Sequence, residues 1–238
     1  MVSVTSNGDV PQQPMNFDNS YIPDQLIAGV FPRVTQGLAT VLHAATVNSV
    51  TPLPRGTIMG QQTIGSASVV AGTNTGTGTF TMDGTTPILP NAKVGAYVLT
   101  ILATGRAQLV DPKGVSLGEY DFTSAGSVTI ANEIKGVLAD TSTHFVAGDK
   151  FTITVAAGSG KYVPSVATAT DGSQVPSAIL VDQTDPSAAD VNAGLYFTGE
   201  FNSNAITFDS SWTVATLTPL LRPLGIYLKD SVSAADPT

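Results

Sequence analysis

GTNTGTGTF, residues Gly72 to Phe80, packs three glycines and four threonines into nine positions. Its reading decides the fold, because such a run is either a loop that cradles a phosphate or a seam between folded units. A phosphate loop needs its glycines between a strand and a helix N-terminus, so that backbone N–H groups and the helix dipole point at the anion. Residues 79–82, Thr-Phe-Thr-Met, read instead as strand, no Lys-Ser or Lys-Thr follows, and the glycines miss the dinucleotide spacing. Another stretch of similar texture, Gly158-Ser159-Gly160-Lys161-Tyr162, has Val155 where the first glycine of a Walker loop belongs. Tyr162 stands where Ser or Thr must reach magnesium. No nucleotide or other cofactor is therefore expected, and both glycine-rich stretches read as permissive backbone bracketing an inserted unit.

Outward from this point the texture is β. Between the two stretches, short runs rich in β-branched and aromatic residues fall around 79–82, 96–102, 107–110, 118–122, 127–130, 134–138 and 150–155. Met82-Asp83-Gly84, Asp111-Pro112-Lys113-Gly114 and Ala147-Gly148-Asp149 punctuate them as turns. Phe151-Thr152-Ile153-Thr154-Val155 alternates cleanly, with Phe, Ile and Val on one face. This spacing predicts an immunoglobulin-like β-sandwich over residues 65–157. The flanking segments read as a small β-rich core over 27–64 and 158–232, with strands at 162–166, 178–181, 195–198, 205–208 and 225–228. One short helix is expected through Trp212, Leu217 and Leu220, capped by Ser211. Residues 1–26, with Pro11, Pro14 and a polar, aperiodic composition, read as a flexible arm, and 233–238 as a frayed tail.

Bulk composition narrows the function classes. The 238 residues carry a formal charge of −8, are 12% charged and 42% hydrophobic, and include no cysteine. Such a chain is too apolar to stay unfolded, and its field repels polyanions, so nucleic acid is not expected as a partner. Disulfides, thiolate metal sites and a cysteine nucleophile are all unavailable. The first twenty residues lack a basic and an apolar signal region, and no run of about 18 apolar residues occurs, so neither export nor a membrane is expected.

The residues that carry chemistry elsewhere do not assemble here. His43 and His144 lie far apart, and only His144 has an acidic neighbour, Asp140. Asp182, Asp185 and Asp190 lack the glycine and bidentate Glu of a calcium loop and sit in turn chemistry. The glutamates are Glu119, Glu133 and Glu200, too few and too separated for a carboxylate pair by motif. Phe197, Phe201, Phe208 and Trp212 fall at strand-like spacings and are expected in the core. No catalytic residues, no metal and no enzymatic activity are expected.

The outer segments carry a pattern. Pro54-Arg55-Gly56-Thr57-Ile58-Met59-Gly60, Gly160-Lys161-Tyr162-Val163, Thr170 to Leu180, Gly194 to Asn202 and Leu221 to Lys229 follow one another in order. Together they resemble the head-decoration, or capsid cement, proteins of tailed phages, the lambda gpD-like family, over residues 15–64 and 158–232. The resemblance implies a β-rich domain on the outer surface of the phage head, made in the host cytoplasm, that trimerises at three-fold positions of the shell and binds the major capsid protein. Compact members run directly from the equivalent of residues 57–61 to that of Lys161-Tyr162-Val163, so the insert is expected to project away from the shell.

An arm bearing isolated apolar anchors, Phe17, Tyr21, Ile22 and Leu26, can lie extended on a capsid and add a strand to an exposed edge. Trivalent engagement then multiplies weak contacts. The competing expectation is an adhesion module in which residues 65–157 bind a host-surface glycan or protein and the remainder is its mount.

Overall fold

The computed structural model describes residues 26–29, 41–123 and 126–230 of the chain. The fold is mainly β, with one short helix. Strands β1 (Ile27–Gly29), β2 (Val41–Val47) and β3 (Ile58–Gln61) come first. They are followed by β4 (Ile64–Ala71), β5 (Thr79–Met82), β6 (Gly95–Ala103), β7 (Arg106–Val110) and β8 (Ser116–Asp121). Next come β9 (Ser127–Ala131), β10 (Lys135–Ala139) and β11 (Lys150–Ala157). The last described elements are β12 (Tyr162–Pro164), β13 (Pro176–Leu180), β14 (Val191–Asn202), helix α1 (Val214–Leu221) and β15 (Ile226–Lys229).

Strands β14, β13, β3, β12 and β2 pair in that order, and β2 pairs back onto β14, closing a small barrel. Period-2 alternation gives the barrel strands two apolar faces. Val47, Met59, Tyr162, Ala178, Leu180 and Leu195, at least one from each strand, form one buried cluster. Their neighbours Ile58 and Ile179 turn the other way, into a second cluster with Leu26, Phe201, Leu217, Leu221 and Ile226, beneath α1. The helix is capped by Thr213 rather than by Ser211. Thr213 and Thr216 form a reciprocal capping box, and Pro219 lies within the helix. Ser211 Oγ instead accepts the Ala167 N–H at 2.9 Å. Leu217 and Leu221 are buried while Leu220 is exposed, a one-residue correction to the expected apolar face. Residues 205–208, expected as a strand, make only a single bridge, Thr57 to Thr207.

Residues 64–157 supply all of the remaining two sheets, β4-β11-β6-β7-β8 and β5-β10-β9. The sheets share one core, in which Tyr97, Leu99, Phe151 and Ile153 from the first meet Phe80, Ile130 and Leu138 from the second. The expected alternation in β11 is observed, with Phe151, Ile153 and Val155 buried. In the immunoglobulin order the first strand neighbours the second. Here β4 pairs with the last strand, β11, so the two ends of the segment leave side by side.

The crossing between the cores falls at residues 62–64 and 158–161, not at Gly72–Phe80. Gln61 pairs with Tyr162, and the Gln62 and Gly158 N–H groups donate to Lys161 O and Thr63 O, at 2.9 and 3.0 Å. The Gly72–Phe80 stretch is the β4–β5 connection inside the second core. Its glycines are required by close approach, because a Cβ on Gly78 would run into the Phe145 ring and one on Gly76 would lie 2.7 Å from the Phe145 Cα. The loop does hold an anion, an internal one. Thr75 N–H and Gly76 N–H donate to the two carboxylate oxygens of buried Asp149, at 2.8 and 2.9 Å.

Candidate functional site

The long strand β14 organises the place where the chain ends meet the barrel. Its first half is flanked by β13 and β2, its second half by β1 and β15. Ile27 and Leu228 both take Phe201 as their register partner, one from an antiparallel and one from a parallel strand. Leu26 and Lys229 therefore both lie beside Asn202. Leu26 is 3% exposed and packs with Phe201 and Ile206, and its carbonyl accepts the Asn202 N–H at 2.8 Å. Of the four anchor residues expected from sequence, Leu26 thus belongs to the domain core. Phe17, Tyr21 and Ile22 lie outside the described residues.

Polar contacts lock this corner. Buried Glu200 forms an ion pair with Lys229, whose side chain is half exposed. Asn202, 2% exposed, caps its own turn by accepting the Asn204 N–H at 3.0 Å, and Asn204 donates to Asp230 at 2.6 Å. A carboxylate this buried is tolerated because its partner neutralises it while reaching solvent.

The other sequence candidates stay apart. His144 Nδ1 lies 2.8 Å from Asp140 Oδ2 on the surface. Burial works against the charge on Asp140, but the His144 ring and the N–H groups of Thr141 and Phe145 outweigh it and hold the carboxyl below its ordinary range. Asp185 accepts from Ser187 as a turn former. Asp190 binds Lys161 Nζ at 2.5 Å and Asn48 Nδ2 at 2.7 Å, so the lysine that follows Gly160 is a strut between the strand ends. Phe201 is fully buried, Phe197 stacks edge-on against Tyr162 at 5.8 Å, and Phe208 and Trp212 pack on the barrel's outer cluster. Among the described residues, no group of three or more His, Asp or Glu is arranged to hold a metal ion.

Sequence reading missed one constellation, because its members are far apart in the chain. Lys93 Nζ lies 2.7 Å from Asp111 Oδ2 and 2.5 Å from Glu133 Oε1. Tyr97 Oη donates to Glu133 Oε2 at 2.6 Å and accepts the Lys93 N–H at 2.7 Å. Asp111 Oδ1 accepts the N–H groups of Lys113 and Val115 at 2.9 and 2.7 Å. Lys93 holds the Asp111 carboxyl below the usual carboxylate range, and bonds to Asp111 and then Glu133 push the ammonium up. Burial, then the bond to Glu133, pushes the Tyr97 phenol up to about 12. The one trace in the sequence is the Asp-Pro-Lys-Gly turn, which needs an Asp at its start for reasons of its own.

The described residues thus form a barrel closed through β14, with α1 packed on its outer cluster. Comparison with known families shows where the chain belongs. The family pattern of bacteriophage lambda head decoration protein D matches residues 37–224, and the chain belongs to that family. That family is one of structural proteins that decorate phage capsids. No curated protein is matched by the chain. Among solved structures, it is similar to FlgL of Xanthomonas campestris in two crystal forms, at 24% identity and a TM-score of 0.28 over 44% and 43% of this chain. The aligned part spans 33% of the FlgL chain.

Proposed function

We propose that this protein binds the outer face of the phage head as trimers at three-fold positions and stabilises the shell. Residues 1–25 serve as the capsid-gripping arm, and residues 65–157 form an inserted β unit that projects outward. The reading rests chiefly on the corner at Asn202, where β1 carries the start of the described chain onto β14. An arm entering there is anchored by Leu26 in the core, so contacts made by Phe17, Tyr21 and Ile22 pull on a fixed point rather than on a frayed end. Adding main-chain hydrogen bonds along an exposed capsid edge supplies affinity, and three arms per trimer multiply it.

The pairing of Gln61 with Tyr162 supports the inserted-unit part of the reading. Two adjacent ladder residues can be joined by a tight turn, and replacing that turn by a long excursion costs little, since closure entropy grows only with the logarithm of length. The test is co-sedimentation of undecorated shells with the full chain and with a chain beginning at residue 26. The full chain is expected in the pellet at saturable stoichiometry and the shortened chain, folded by circular dichroism, in the supernatant. Equal pelleting of both would remove the arm's role.

A further inference from the structure

The Lys93, Asp111 and Glu133 constellation places an amine, a carboxyl carbon and a general base in one enclosed site, and we propose that it forms an intramolecular amide between Lys93 Nζ and Asp111 Cγ. The Asp111 side chain is fully buried and that of Glu133 is 9% exposed. Each atom of Asp111 already has the partner that the reaction requires. Oδ1 is held by two backbone N–H donors, from Lys113 and Val115, which lie where the negative charge of a tetrahedral intermediate develops. Oδ2 faces the attacking amine at 2.7 Å. Glu133 touches the amine through Oε1 and is fixed through Oε2 by Tyr97, whose own position is set by the Lys93 N–H. Nucleophile, electrophile, proton carrier and oxyanion donors are thus all present in fixed positions.

The step balances without any co-reactant. The resting pair is an ammonium and a carboxylate. Glu133 takes one proton from Nζ and passes it to Asp111 Oδ2, leaving a free amine beside a neutral carboxyl. The Nζ lone pair attacks Cγ, and the C=O electrons move onto Oδ1 between the two N–H groups. Glu133 then carries a second proton from Nζ to Oδ2, the Cγ–Oδ2 bond breaks, and Oδ2 leaves as water. One positive and one negative charge vanish together, and the new amide N–H donates to Glu133 Oε1. In open water this condensation runs uphill. Fixed geometry favours the forward step, because well-oriented intramolecular partners reach effective concentrations of about 10⁵–10⁸ M. The Lys93 side chain is 34% exposed, so the released water leaves to solvent on that side.

The product is a covalent ring through residues 93–111, joining the chain before β6 to the end of β7. It braces the hairpin next to the sheet that carries Glu133.

The test is intact-mass measurement on the purified, denatured full chain, followed by peptide mapping. The expected mass lies below the sequence mass by one water, with a branched fragment joining Lys93 to Asp111. Dehydration at an Asp-Gly pair such as Asp83-Gly84 removes the same mass, so the branched fragment decides. Lys93→Arg is expected at its full sequence mass. Asp111→Asn is expected to lose one ammonia instead, since the leaving group is then an amide nitrogen. Glu133→Gln, with a wild-type circular dichroism spectrum, is expected to stay uncrosslinked. Wild-type protein at full sequence mass, or a water loss mapped elsewhere, overturns the proposal whatever the variants do. A crosslinked Glu133→Gln overturns the role of Glu133.

Discussion

Replacing Asp149 by alanine strips the glycine-rich loop of the anion around which it is folded. The carboxylate accepts from Thr75, Gly76 and Val146, at 2.8, 2.9 and 3.1 Å. The Gly76 donor is buried and the other two are partly so. A buried donor left without a partner costs about 1–3 kcal/mol, and donors that water can reach cost less, so the loss expected at neutral pH is about 3 kcal/mol. Burial disfavours the charged form of Asp149, but the three N–H donors prevail and hold its carboxyl below the ordinary value. A group depressed in the folded state contributes fully above the unfolded value, about 3.9, and loses that contribution as pH falls through its folded value. The gap between wild type and Asp149→Ala is therefore expected to be widest at neutral pH and to narrow below about pH 4.

The assay is urea unfolding followed by far-ultraviolet circular dichroism at a series of pH values. Trp212, the single tryptophan, packs on the barrel's outer cluster and gives an independent fluorescence signal. The variant should shift the dichroism transition and leave the Trp212 transition where it was, since none of the Asp149 contacts involves the barrel. A loss below about 0.5 kcal/mol, within the range of ordinary surface changes, or a gap that does not change with pH, would refute the reasoning.

Other outcomes can be checked with the same preparations. Gly78→Ala drives a Cβ into the Phe145 ring and to within 2.6 Å of Ala139 O, and should cost about 1–3 kcal/mol in urea unfolding. Leu26→Ala removes a buried side chain beside Phe201 and should lower stability by about 2–5 kcal/mol, read by Trp212 fluorescence. Deleting residues 63–160 and joining Gln62 to Lys161 through a two-residue turn should leave a folded barrel that still pellets with shells. Loss of its fold, seen by circular dichroism, would argue that the barrel depends on the second core.

What the sequence displayed, and what it hid, follows from the range of the interactions involved. Phe151-Thr152-Ile153-Thr154-Val155 announced a half-buried strand because its alternation is local, and the structure buries the three apolar members. Strand β4 escaped notice because Gly65-Ser66-Ala67-Ser68 carries small residues with little β signature, and its order comes from pairing with β11, distant in sequence. The glycines at 76 and 78 have the texture of a hinge, yet they mark the approach of Phe145, a contact that no local pattern encodes. Thr213 displaced Ser211 as the cap because the reciprocal partner three residues on is Thr216, whose hydroxyl does the work of the usual Glu or Gln. Leu26 was not legible as a core residue, since its neighbours Phe201 and Ile206 come from the other end of the chain. The Lys93 constellation was hidden for the same reason: β6, β7 and the β9–β10 turn have to fold together before its atoms meet.

Decoration of the phage head is best tested by electron cryomicroscopy of undecorated shells incubated with the full chain. The expected result is added density at the three-fold positions of the outer surface, three copies to a cluster, with an arm running from the Asn202 corner onto the capsid and the second core standing away from it. Density confined to another position, or shells left bare at saturating protein, would contradict it.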